Sequence, residues 1–186
     1  MLLGHDAGAL LAAAGGRRAT AVVLLAPLVP GSAAVRTLTL ETAGLLRLLL
    51  GRPLAPPGPS AQALAWGDLP PTVAAGVLRR LGPDDAAVVQ DLLRRRVPLQ
   101  RMGVPALLVA GDRDPLLDPA AAAALAGRLG AELSVLPDAG HALLAGPAWQ
   151  RVVGLVHRWI VQRIGAPLLE TYEEAMADRD AEEGEE

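Results

Sequence analysis

The sequence predicts an α/β fold with a partial sheet of about four mostly parallel strands, flanking helices and a helical insert. Apolar runs short enough to be buried strands lie at 21–26, 105–110 and 132–136. Segments with helical periodicity separate them, and such alternation of strands and helices is typical of a parallel sheet. With 186 residues, the chain is long enough to bury the core of one domain.

The elements follow one another in a simple order. A strand stub is expected at Met1–Leu3, and the region at about 30–100 is expected to be a mostly helical insert. The remaining expected elements are helices at 7–14, 34–50, 70–81, 84–96, 119–129, 148–164 and 168–178, with a proline-rich loop at 52–59. Pro83 and Asp84 are expected to start the helix at 84–96, and Asp118 the helix at 119–129.

Charge and composition exclude several classes of site and partner. The chain has no cysteine, and its three histidines are scattered, so we expect no metal and no cofactor. Nucleic-acid binding is not expected, because the arginines are dispersed and no aromatic residues lie between them for base stacking. No apolar stretch reaches the ~20 residues of a membrane span, and no signal peptide is recognisable, so a cytoplasmic location is expected.

The acidic residues are concentrated at the C-terminus. The last 17 residues contain nine of the 20 acidic side chains and one of the 17 basic ones. This distribution predicts a domain over residues 1–165 and a solubilising acidic tail over 166–186, disordered at least from Asp180 onward.

The most informative motif is Gly4-His5-Asp6-Ala7-Gly8. It has the G-x-S-x-G form of a nucleophile elbow, in which a sharp turn from strand to helix exposes the central side chain. Here an aspartate occupies the place of the serine. A carboxylate can also act as a nucleophile, forming an ester with the substrate that activated water then hydrolyses.

Two later segments place an acid and a histidine after strands. The strand at 105–110 is followed by Gly111, Asp112 and Asp114, and the strand at 132–136 by a turn that ends on His141. The chain order of nucleophile, acid and histidine resembles that of the α/β-hydrolase superfamily over roughly residues 1–165. The resemblance implies that the helical insert at 30–100 is a cap over the active site.

The resemblance also implies roles for individual residues. Asp6 would be the nucleophile, as in haloalkane dehalogenases and epoxide hydrolases, and His141 the base. Asp114 fits the orienting acid better than its competitor Asp112. Three further residues would contact the substrate or its oxyanion, or position the elbow: Ala7 through its backbone N–H, His5, and Trp66 in the cap. The sequence departs from both families. Ala7 follows the aspartate where these families often have tryptophan. The epoxide hydrolases open the ring with tyrosines of the cap, but the only tyrosine here, Tyr172, lies outside the cap.

Two functions remain open from the sequence. The first is a hydrolase acting on a small, largely apolar ester, epoxide or haloalkane through an Asp-His-Asp triad. The second is a non-catalytic relic that serves as a binding module, because relatives have several strands before the elbow and the domain is expected to be truncated there. The elbow strand would then lie on an open edge, where it favours a homodimer.

Overall fold

The computed structural model describes residues 1–32, 50–53 and 59–165. Within these residues, four parallel strands form one sheet in the order β1-β2-β3-β4. The strands are β1 (Leu2–His5), β2 (Val22–Leu25), β3 (Ala106–Gly111) and β4 (Glu132–Leu136). The predicted fold class and the predicted number and direction of strands are confirmed.

Six α-helices accompany the strands in the described ranges. They are α1 (Ala7–Gly15), α2 (Pro59–Trp66), α3 (Pro71–Leu78), α4 (Ala86–Leu93), α5 (Pro119–Leu129) and α6 (149–165). The sequence analysis did not predict α2, whose first residue was assigned to the proline-rich loop. The helix predicted at 34–50 lies almost entirely outside the described residues, and the segment 168–178 and the acidic tail lie entirely outside them.

The caps explain where two of the helices begin. Asp118 precedes α5, and its Oδ1 accepts the backbone N–H of Ala121 at 2.8 Å, as a helix N-cap should. The helix expected to begin at Asp84 begins two residues later, at Ala86, and Asp85 is its N-cap. Its Oδ1 accepts the N–H of Ala87 at 2.7 Å.

Side-chain alternation along the central strands builds two apolar layers. Val22 and Leu24 of β2 pack with α1 and α5 on one face of the sheet. Val23 and Leu25 point the opposite way and pack with α6. Because both faces of β2 and β3 are covered, these strands are continuous apolar runs.

Parallel strands bring their carboxyl ends to one edge of the sheet. The elbow follows β1, the two aspartates follow β3, and His141 follows β4, so all three meet at this edge. In the described part of the chain, β1 is paired on one side only, and Leu2 and Leu3 are exposed. No helix in the described ranges is long and apolar enough to cross a membrane.

Candidate active site

Asp6 occupies the sharp turn between β1 and α1 that the pentapeptide motif predicted. Its backbone angles, φ 57° and ψ −127°, lie in a region that residues with a side chain rarely adopt. A Cβ at Gly4 would overlap the backbone of Gly8, so the close crossing of strand and helix requires glycine there. The turn therefore presents the Asp6 carboxyl group at the carboxyl edge of the sheet.

His141 is almost completely buried, with 1% of the residue exposed. Its Nδ1 lies 2.9 Å from Oδ2 of Asp114, at hydrogen-bond distance. Its Nε2 faces Oδ1 of Asp6 at 4.0 Å, which is too far for a direct hydrogen bond. Both of these facing atoms are buried and lack a hydrogen-bond partner among the described residues. Each therefore keeps hydrogen-bonding capacity for a third group.

The structure brings Asp114, rather than Asp112, to the histidine. Oδ1 of Asp114 accepts two backbone N–H groups of the turn that follows it, at 2.8 and 3.1 Å. These bonds fix the carboxylate and leave Oδ2 for His141. Asp112 instead accepts the backbone N–H of Ala139 at 3.3 Å. The two aspartates thus have different partners, and only Asp114 contacts the imidazole.

The carboxylates around His141 control its ionisation. Burial alone would lower the pKa of the imidazole, but the interactions with Asp114 and Asp6 outweigh it and raise the pKa to about 9. The imidazole is therefore protonated at neutral pH when both carboxylates are charged. Partial burial and the Asp6 carboxylate also raise the pKa of Asp84, so a third carboxyl group lies within electrostatic reach of the site.

His5 connects the elbow to the loop at 138–146, which we call the histidine loop. Its Nε2 lies 3.0 Å from the backbone carbonyl oxygen of His141. Since a carbonyl only accepts, the imidazole must donate from Nε2. Burial lowers the pKa of His5, although the bond to that carbonyl opposes the effect, so the neutral ring is favoured. His5 thereby holds the elbow against the backbone of His141.

A cleft of about 340 Å³ opens over Asp6 and His141. Its walls come from the elbow, from α2, from α3 and the turn after it, and from the histidine loop. The lining residues are His5, Asp6, Ala7, Gly8, Trp66, Val77, Leu81, His141, Ala142, Leu144 and Ala145. Five residues predicted for the site are among them, whereas Asp114 lies behind His141. The sequence analysis did not predict the other apolar side chains of the lining, which are Val77, Leu81, Ala142, Leu144 and Ala145.

Ala7 is the first residue of α1, directly after Asp6. The helix contains no acceptor for the backbone N–H at this position, and the N-terminus of a helix favours negative charge. This N–H is therefore available at the elbow, and its role as an oxyanion donor stays a prediction. In the parts of the chain that the structure describes, no group of three histidine, aspartate or glutamate side chains is arranged to hold a metal ion.

Sequence reasoning missed Asp68, in the turn between α2 and α3. Its Oδ2 accepts the backbone N–H of Gly140, the residue before His141, at 3.2 Å. The two residues are 72 positions apart. No periodicity or motif spacing connects positions so distant, so the contact could be found only in the fold.

The family is shown by a model of aligned sequences, and solved structures show the same fold. A sequence model described as the alpha/beta hydrolase family matches residues 1–155. A monoacylglycerol lipase from Paleococcus ferrophilus has a similar structure, with 18% identity and a TM-score of 0.63 over 87% of this chain and 67% of its own. A thermophilic esterase from Thermogutta terrifontis is also similar, with 17% identity and a TM-score of 0.62 over 87% and 65%.

A third similar structure is a proline iminopeptidase-related protein from Thermus thermophilus, with 25% identity, a TM-score of 0.57, and coverage of 88% of this chain and 64% of its own. The chain thus spans about two thirds of the length of each of these structures. No curated protein matches the sequence. Because the family's sequence model covers most of the chain and the sheet brings elbow, acid and histidine together in the family's order, the chain belongs to the alpha/beta hydrolase family.

Proposed function

We propose that this protein is a hydrolase in which Asp6 is the nucleophile, His141 the base and Asp114 the acid that orients the base. One observation carries the proposal. Nε2 of His141 faces the elbow carboxylate at 4.0 Å, while Nδ1 is held by a carboxylate that is itself fixed by two backbone N–H groups. This arrangement orients the imidazole toward the position where a covalent intermediate on Asp6 would form.

The raised pKa of His141, to which the Asp6 carboxylate itself contributes, is compatible with a carboxylate nucleophile. A serine at the elbow needs the histidine to take its proton in the first step, and a protonated imidazole cannot do so. A carboxylate needs no base for this step. An oxygen of Asp6 attacks an electrophilic carbon of the substrate, and the bond from that carbon to its leaving group breaks with the electron pair on the leaving group. A halide departs as the anion, whereas the oxygen of an opened epoxide stays attached to the substrate and takes a proton from water. The product of the step is an ester on Asp6.

Formation of the ester prepares the base for the second step. It removes the negative charge of Asp6, one of the groups that raise the pKa of His141. The pKa then decreases, so the imidazole can lose its proton and act as a base. Nε2 takes a proton from water while the water oxygen attacks the carbonyl carbon of the Asp6 ester.

The N–H of Ala7 would then stabilise the oxyanion of the tetrahedral intermediate. Collapse of the intermediate breaks the bond between this carbon and the product oxygen. The product leaves as an alcohol with the proton from Nε2, and the carboxyl group of Asp6 is restored and releases the remaining proton. The net reaction consumes one water per substrate.

The cleft supports a small, largely apolar substrate. Most of its lining side chains are aliphatic. Attack at an alkyl carbon, as in a haloalkane or an epoxide, gives a stable ester intermediate, whereas attack on an ester substrate would give a reactive anhydride. Trp66 lines the cleft and could donate its indole N–H to a departing halide. We therefore rank haloalkanes and epoxides before esters.

We also propose that residues 1–165 form the hydrolase domain and that the insert at 30–100 is its cap. Within the insert, Trp66 of α2 and Val77 of α3 line the cleft, which supports this arrangement. A cap of this kind would limit the contact of the bound substrate with bulk water.

Turnover of a substrate panel tests the proposal. Purified protein should hydrolyse at least one member of a set of short haloalkanes, epoxides and aryl esters. Asp6→Ala should lower that rate by about 10⁴-fold or more, because no other group supplies the nucleophile. Asp91→Asn removes an exposed aspartate of α4 and should leave the rate unchanged. If no substrate reacts and Asp6→Ala leaves the binding of apolar ligands intact, the protein is a binding module instead.

A further inference from the structure

Four side chains hold three consecutive residues of the histidine loop. Asp112 binds the N–H of Ala139, Asp114 binds Nδ1 of His141, and His5 donates to the carbonyl of His141. His5 is the last residue of β1, and Asp112 and Asp114 follow β3, so these three side chains lie at the carboxyl edge of the sheet. The fourth is Asp68, whose Oδ2 binds the N–H of Gly140 from the turn between α2 and α3.

Close packing accompanies this fourth bond. A Cβ at Gly140 would lie 2.6 Å from Cγ of Asp68, so the carboxyl group occupies the space that a side chain would need. A Cβ at Gly146 would lie 3.3 Å from Oδ2 of Asp68 and from Cδ2 of Leu69. Leu69 is buried. The turn at 67–70 therefore sits directly on the loop, against the residue before His141 and against a glycine five residues after it.

We propose that Asp68 is a positioning residue: it couples the packing of α2 and α3 against the histidine loop to the orientation of His141. The bond to Gly140 acts on the residue next to the histidine, and Trp66, two residues before Asp68, lines the substrate cleft. A shift of the turn at 67–70 would therefore move the cleft wall and the histidine loop together. The effect on catalysis rests on the proposed function, whereas the effect on the geometry of His141 does not.

Nuclear magnetic resonance of the imidazole nitrogens tests the geometry without any substrate. Asp68→Ala leaves the N–H of Gly140 without its acceptor, so His141 should move away from Asp114. We expect its pKa to fall by about one unit or more and its Nδ1 proton to exchange faster. Asp68→Asn keeps an acceptor oxygen but removes the charge, and should retain both properties. Asp91→Asn is the matched control for loss of an exposed aspartate.

Gly140→Ala, alone and combined with Asp68→Ala, gives a second, steric test. Gly140→Ala places a methyl group against the Asp68 carboxyl and should displace it, with the same change in the His141 titration as Asp68→Ala. In the double variant, the methyl group fills space that the carboxyl has left. Gly140→Ala should therefore add little to Asp68→Ala, and the two effects should be strongly non-additive.

Catalysis supplies the third readout. Asp68→Ala should lower kcat by about 10- to 100-fold with a smaller change in KM, and Asp68→Asn should recover most of the loss. An unaltered His141 titration in Asp68→Ala would overturn the proposal, even if this variant melts at a lower temperature. Additive effects of Gly140→Ala and Asp68→Ala in the double variant would overturn it as well. If the titration responds but no substrate is turned over, the positioning role stands and the proposed hydrolase function fails.

Discussion

The ionisation of His141 should make the stability of the fold depend on pH. The pKa of this imidazole is about 9 in the folded protein, against an ordinary value of 6.5 in the unfolded chain. The protonated form is therefore favoured by folding. Its stabilisation is complete below pH 6.5 and is lost as the pH rises through 9. Because the side chain is only 1% exposed, solvent screening takes little from this effect.

The magnitude follows from the size of the pKa shift. A shift from 6.5 to about 9 corresponds to about 3 kcal/mol of unfolding free energy lost across this range. Urea unfolding followed by circular dichroism at pH 6.5 and pH 9.5 measures the difference. His5 cannot account for such a loss, because burial lowers the pKa of His5, and a histidine whose pKa is lowered by folding stabilises the fold more as the pH rises.

Two variants separate His141 from the other ionisable groups. His141→Gln should abolish most of the decrease in unfolding free energy between pH 6.5 and 9.5. His157→Gln changes an exposed histidine of α6 and should leave it intact. A wild-type unfolding free energy that is constant over this range, or an equal decrease in His141→Gln, would refute the charge arrangement described for the site.

Three further predictions concern His5, the open sheet edge and the acidic tail. His5→Phe removes the donor to the His141 carbonyl and should destabilise the fold by about 1 kcal/mol, measured by urea unfolding. Two copies of the chain should pair through the edge of β1, where Leu2 and Leu3 are exposed. Light scattering at micromolar concentration should therefore give the mass of a dimer, and the mass of a monomer would contradict this. Removing residues 170–186 changes the formal net charge from −3 to +5. The shortened protein should keep its Tm and bind polyanions more strongly. A fall in Tm of many degrees would show instead that this segment contributes to the fold.

Much of the fold was predictable because its signals are local. Each central strand is a continuous apolar run, as burial on both faces of a sheet favours, and α5 begins directly after its N-cap Asp118. The helix α2 escaped prediction because it begins at Pro59, inside a stretch of prolines that indicates a loop. Proline is tolerated in the first turn of a helix, so the same residue fits both structures.

The candidate site was predictable only where the sequence carries a motif or a family order. The elbow pentapeptide indicated Asp6 as a candidate, and the resemblance to the family's order of nucleophile, acid and histidine indicated Asp114 and His141. The contact of Asp68 with Gly140 spans 72 positions and depends on how α2, α3 and the turn between them pack against the histidine loop. The bond from His5 to the carbonyl of His141 spans 136 positions and is equally invisible to periodicity.

Intact-mass spectrometry of His141→Ala tests whether a covalent ester forms on Asp6. Without its base, this variant should form the ester but not hydrolyse it. After incubation with a haloalkane or epoxide that the wild type turns over, its mass should increase by the alkyl or hydroxyalkyl group, and peptide mapping should place the increase on Asp6. Asp6→Ala/His141→Ala should show no increase. An unmodified His141→Ala protein, with a substrate that the wild type hydrolyses, would contradict the nucleophilic role of Asp6.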